Sequence, residues 1–150
     1  MRIRQLAAGE QPPMDLLLSA DPSEVIVEEY LRRGQCFIAL MKETVIGEYV
    51  LLPTRPETIE LVNVAVAEEY QGQGVGKNLV NHAVKQARDS GYRTIEVGTG
   101  NSSVDQLALY QKCGFRMTGI DRDFFIRHYP EEIYENGIQV RDMVRLSQDL

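Results

Sequence analysis

The chain has 150 residues, 43% hydrophobic and 25% charged, which suits one domain with a real core and excludes a disordered or fibrous protein. Sixteen Lys and Arg against 22 Asp and Glu leave a formal charge of −6, which argues against a nucleic-acid partner. The two cysteines, Cys36 and Cys113, sit in apolar contexts without metal-ligand spacing and read as reduced core thiols, so no metal is expected. The start has no apolar leader, and no run approaches the ~18 apolar residues of a membrane span. The expectation is a single cytoplasmic domain over residues 1–150 with no membrane partner.

In chain order, Ile3 to Leu6 is a strand candidate, followed by a turn-rich break at Gly9 to Pro13. Asp15 to Ser19 reads as a short helix. Asp21-Pro22-Ser23-Glu24 opens a better one, with Asp21 as the expected N-cap and Gly34 as its end. Cys36 to Met41 and Val45 to Leu52 are apolar runs joined by a short turn, a hairpin of buried strands. Pro53 to Glu57 reads as a turn and Thr58 to Ala67 as a strand rich in β-branched residues. A helix from about Gly76 to Ser90 carries Leu79, Val80, Ala83, Val84 and Ala87 on one face. Then come a strand at Thr94 to Val97, an amphipathic helix at Val104 to Lys112, a strand from Phe115, a long connection at Asp121 to Gly137, and a last strand at Ile138 to Leu146. Hairpins and helical crossovers together predict an α/β fold, a mixed sheet with helices on both faces.

Between the strand ending at Ala67 and the next helix lies Gln71-Gly72-Gln73-Gly74-Val75-Gly76-Lys77. Glycine allows close backbone approach and positive φ, and a helix N-terminus offers unpaired N–H groups and partial positive charge. Together they suit a phosphate or pyrophosphate. The G-x-G-x-x-G pattern fails because Lys77 stands at its last position. The P-loop pattern fails at Gln71 and Asn78. What remains is Q-x-x-G-x-G at Gln71, Gly74 and Gly76, against a plain strand-to-helix turn, for which three alternate glycines are more than is needed.

This segment resembles the R/Q-x-x-G-x-G/A motif of the GNAT N-acetyltransferase family. Leu109-Tyr110-Gln111-Lys112-Cys113-Gly114-Phe115 resembles the same family's L-Y-x-K-x-G-F segment, and the element order matches along essentially the whole chain. The resemblance implies a GNAT fold and acetyl-CoA as cosubstrate. It implies that Val64, Ala65 and Val66 face the pantetheine arm, that Gln71, Gly72, Gln73, Gly74, Val75, Gly76 and Lys77 cradle the pyrophosphate, and that a backbone N–H at or near Val66 serves the oxyanion. Many members have Asn seven residues before the tyrosine. Ser103 stands there in this chain with Asn101 close by, and either is a candidate cofactor contact. Small members often pair through sheet edges or the last strand, which leaves a homodimer open.

Acyl transfer from a thioester needs a deprotonated amine, donors for the developing oxyanion and a proton for the departing thiolate. Tyr110 stands where the family places the acid; its other reading is a core aromatic. Glu60 is the candidate base, four residues before Val64, at the offset used by the family's histone-type branch; its other reading is an exposed strand residue. It lies between Ile59 and Leu61, and a carboxyl in an apolar strand gains base strength. Strand alternation puts Asn63 on the opposite face from Glu60, as a substrate contact or a structural residue. His82 reads as a solvated helix residue and His128 as a surface one.

The connection from Asp121 to Gly137 holds five acids and four aromatics against two arginines. Long loops are often functional, and carboxylates with aromatic rings suit a cationic amine. Asp123 and Glu135 are the candidate substrate contacts; the alternative is a loop that caps the core. The leading expectation is acetyl transfer from acetyl-CoA to a small cationic amine by direct attack in a ternary complex. A non-catalytic acyl-CoA sensor is the other class, with no need of the Glu60 and Tyr110 pair.

Overall fold

The structure is a computed structural model that describes all of residues 1–150. Seven strands form one sheet: β1 (Arg2–Gln5), β2 (Gln35–Met41), β3 (Thr44–Arg55), β4 (Thr58–Val66), β5 (Thr94–Gly100), β6 (Arg116–Asp121) and, last in the chain, β9 (Met143–Asp149). Their spatial order is β1-β2-β3-β4-β5-β9-β6. Helices α1 (Met14–Ala20) and α2 (Glu24–Arg33) cover one face, and α3 (Val75–Asp89) and α4 (Val104–Lys112) the other.

Both faces are dry. Tyr49, Leu51, Leu61, Ile95 and Val97 pack with Leu79, Val80 and Ala83 of α3, while Ile38, Val50 and Leu52 pack with Leu17 of α1 and Val27 and Tyr30 of α2. This explains the unbroken apolar runs of β2 and β3: a strand covered on both sides has no polar face to alternate with.

Two irregularities shape the centre of the sheet. The parallel pair β4 and β5 runs in register only from Thr58↔Thr94 to Leu61↔Val97. Beyond that, β4 continues against β3 as far as Val66 and β5 continues against β9 as far as Gly100, so the two strands part. One edge of β4 after Leu61 therefore has no strand beside it, and its backbone groups on that edge are available. The second irregularity is a β-bulge: Val50 pairs with Asn63 while Leu51 pairs with Leu61, leaving Val62 extra. Glu60 lies opposite Leu52 and Asn63 opposite Val50, both on the α1–α2 face. Asn63 and Glu60 thus share a face, and simple alternation gave the wrong answer because the bulge resets it.

Several local expectations shift. Ser23, not Asp21, caps α2 by accepting from the Ile26 N–H at 3.3 Å; the Asp21 carboxylate instead accepts from the Ser23 N–H at 3.1 Å. Pro53 stays within β3, which runs on to Arg55, and the turn is only Pro56-Glu57. The long connection contains helix α5 (Phe124–His128) and a small hairpin of β7 (Tyr134–Glu135) and β8 (Ile138–Gln139). Asn136 and Gly137 turn that hairpin with φ of 55° and 74°, the pair expected at a tight hairpin turn. Ile138 therefore pairs back on Glu135 and does not begin the last strand. His82 is half-buried rather than solvated: a 2.7 Å hydrogen bond joins its Nδ1 to the Tyr49 hydroxyl.

Candidate active site

The glycine segment makes a left-handed entry into α3. Gly72 and Gly74 have φ of 76° and 84°, a region where a side chain is strained, and Gly74 is the residue before the first helical turn. No side chain caps this helix and no acid sits in its first turn. The backbone N–H groups of residues 72–77 donate to no acceptor in the chain. A 15-residue helix thus presents its positive end and a row of aligned donors to solvent, a cradle that fits a pyrophosphate. The Gln71 amide donates to the Val66 carbonyl at 3.0 Å and the Gln73 amide to the Glu69 carbonyl at 3.1 Å, so both glutamines brace the loop, and the donors offered are main-chain ones.

Where β4 and β5 part, a cavity of ≈ 260 Å³ opens between them. Asn63 and Val64 of β4, Gly98 and Gly100 of β5, and Ser103 and Tyr110 of α4 line it, with Asp21 from the α1–α2 turn and Phe125, Tyr129 and Glu135 from the 121–137 segment. No lysine, arginine or histidine lines it. Tyr110 is 5% exposed, packs edge-on against Phe115, and its hydroxyl takes no partner within the chain. Burial pushes that hydroxyl above the ordinary tyrosine range, so it stays a proton donor at neutral pH.

The structure therefore brings Tyr110, Asn63, Val64, Ser103 and Glu135 to one cavity and sets others apart. The Glu60 carboxylate is held by the Arg145 guanidinium at 3.2 Å and does not line the cavity. Arg145 also approaches Glu96 at 3.8 Å, and Glu96 pairs with Arg55 at 2.7 Å. The setting of Glu60 is thus an ion-pair chain rather than an apolar strand. Asn101 accepts from the Arg141 and Asp142 N–H groups at 2.8 and 3.0 Å and donates to the Gln139 carbonyl, which commits its side chain to the bend before β9. Ser103 donates to the Glu135 carboxylate at 3.0 Å. Asp123 sits exposed at the start of α5 with φ of 62° and lies outside the cavity lining. His128 is exposed, as expected.

Three residues escaped the sequence reading. Asp21 looks like any helix-start acid, and nothing local marks it as a cavity wall. Tyr129 reaches Asp21 across 108 positions, its hydroxyl donating to Asp21 Oδ1 at 2.9 Å. Glu48, inside an otherwise apolar strand, is wholly buried and neither carboxyl oxygen has a hydrogen-bond partner. That one had a signal: a glutamate at the centre of a run buried on both faces.

The family model described as "Acetyltransferase (GNAT) family" matches residues 3–115. The chain is 61% identical over 136 residues to the uncharacterized N-acetyltransferase YvbK of Bacillus subtilis, covering 91% of this chain and 88% of that one. A crystal structure of a Bacillus subtilis acetyltransferase in complex with CoA superposes with a TM-score of 0.93 at 57% identity, covering 99% of this chain and 98% of the other. A GNAT family acetyltransferase from Elizabethkingia anophelis with acetyl-CoA bound gives 0.98 at 46% identity, covering 99% and 97%. These likenesses take the sensor reading out of consideration. The chain accordingly belongs to the GNAT family and is an acetyl-CoA-dependent N-acetyltransferase.

Proposed function

We propose that the acceptor is a small cationic amine and that it attacks the thioester directly, with both substrates bound together. The observation that carries this reading is the single cavity at the β4–β5 parting. The unpaired edge of β4, the Tyr110 hydroxyl and a wall bearing two carboxylates and two aromatic rings meet there, with no cation among them. On this reading the N–H groups of residues 72–77 hold the pyrophosphate and Val64 to Val66 offer backbone to the pantetheine arm. That aims the thioester along β4 into the cavity. Tyr110 protects the departing sulfur with its proton. Asp21 and Glu135 supply the negative field that concentrates an ammonium, and Phe125 and Tyr129 supply ring faces for it.

Thiol release from acetyl-CoA over a panel of polyamines, amino sugars and aminoglycosides tests the acceptor class. Cationic amines are expected to outpace neutral and anionic acceptors. Varying both substrates should give intersecting double-reciprocal lines; parallel lines overturn direct attack, and preference for an anionic acceptor overturns the amine. Tyr110→Phe is expected to lower kcat by about 10²-fold, and an unchanged kcat removes Tyr110 from the acid role.

A further inference from the structure

With Glu60 bound to Arg145 outside the cavity, the reaction lacks a group to take the proton from the acceptor ammonium, and an alkyl ammonium with a pKa of about 10 has no lone pair to attack with. We infer that Asp21 is that group, receiving the ammonium in the cavity and accepting its proton. This rests on the amine reading above and assigns its missing base.

The geometry is specific. Asp21 lies in the turn between α1 and α2 and forms part of the cavity wall. Both hydrogen bonds that fix it end on one oxygen: Oδ1 accepts from the Ser23 N–H at 3.1 Å and from the Tyr129 hydroxyl at 2.9 Å. Oδ2 has no partner in the chain and is not among the sealed polar atoms. The carboxylate is thus oriented by one oxygen and presents the other. Partial burial raises its proton affinity above that of an ordinary aspartate, which brings it closer to a useful base. The titratable groups around it are the Tyr129 hydroxyl from the end of α5, the Tyr30 hydroxyl from α2 and Glu135 across the cavity.

Asn63 forms part of the same wall but offers a ligand no open polar atom. Asn63 lines the cavity and is 4% exposed. Its amide N–H groups are committed to the Leu17 carbonyl at 2.9 Å and the Tyr30 hydroxyl at 2.6 Å, leaving Oδ1 sealed without any donor. The ammonium N–H groups face Asp21 Oδ2.

The step balances as follows. One ammonium proton passes to Asp21 Oδ2. The nitrogen lone pair forms the C–N bond at the thioester carbonyl carbon, the C–S bond breaks and its electron pair leaves on sulfur. Tyr110 protonates the sulfur and recovers a proton from the acylated nitrogen. Asp21 releases its proton to solvent, so the products are the acetamide, the free thiol and one proton.

Asp21→Asn keeps an oxygen for the Ser23 and Tyr129 hydrogen bonds but removes the base. On an alkyl amine near neutral pH its kcat is expected to fall about 10²-fold. The loss should shrink as pH rises and more amine is free. It should also shrink on a hydroxylamine-type acceptor, which is unprotonated at neutral pH. Tyr129→Phe, which spares the carboxylate, should cost far less. Asp21→Asn active as wild type on alkyl amines overturns the assignment alone. Equal losses on alkyl amine and hydroxylamine overturn it too, since a structural role would do that. A wild type idle on every amine overturns the amine reading and this inference with it.

Discussion

Glu48 offers the sharpest test of how this core is built. Its side chain sits on β3 between Ile38 of β2 and Ala65 of β4, wholly buried, with no partner for either carboxyl oxygen. Desolvation raises its pKa well above the ordinary 4.5, so the folded protein carries it as a neutral acid. The unfolded chain ionises it near pH 4.3. Because the folded value is the higher one, its contribution is fully present below the unfolded pKa and is lost as pH rises toward the folded pKa. The slope is about 1.4 kcal/mol per pH unit for as long as the folded form holds the proton and the unfolded chain does not. For a chain of this size each such pH unit corresponds to a relative shift of roughly 3–6 °C in Tm. Glu48→Gln has nearly the same shape and does not titrate. Melting curves by circular dichroism at half-unit pH steps should show the Gln variant gaining on wild type at that rate as pH rises above 5. Other titrations are common to both proteins and cancel. Parallel profiles would refute the reasoning, because they would mean that the carboxylate ionises in place without penalty.

Gly74→Ala forces a side chain into a left-handed backbone at φ 84°, at a strain of about 1–2 kcal/mol, although the added carbon meets nothing within 4 Å in the free protein. Calorimetric affinity for CoA should fall at least about 10-fold while the fold persists; unchanged affinity would count against the cradle. His82→Ala leaves the buried Tyr49 hydroxyl without its partner, an expected loss of about 1–3 kcal/mol in denaturant unfolding. Burial, and to a lesser degree Lys85, lowers the pKa of His82, so its contribution is present above about pH 6.5 and is lost as pH falls below that. The stability gap between wild type and His82→Ala should accordingly narrow between pH 7.5 and pH 5.5.

Much of this was legible from residue order alone, for reasons that are local. The elements β2 and β3 follow from unbroken apolar runs, and α3 and α4 from apolar periodicity. The open start of α3 follows from three alternate glycines before an uncapped helix, because backbone donors at a helix start need no distant partner. Tyr110 was found through a contiguous motif. The Asn-Gly pair at 136–137 was readable as a hairpin turn, and Glu48 as an acid in a two-sided apolar strand, although neither was read so.

The acceptor site is a different matter. Glu60 read as a carboxylate in an apolar strand because strand neighbours are all that sequence displays, and its partner Arg145 lies 85 positions away. Asn63 changed face because one extra residue in β4 resets the alternation, a choice made by pairing with β3. Asp21 became a cavity wall only when Tyr129, 108 positions downstream, came to hold it. Periodicity and short motifs encode interactions within a few residues, so the sequence by itself determined the elements, the glycine loop and the family. Which side chains line the cavity depends on where β4 and β5 separate and on what the chain's last third folds back to touch, and only the tertiary structure decided that.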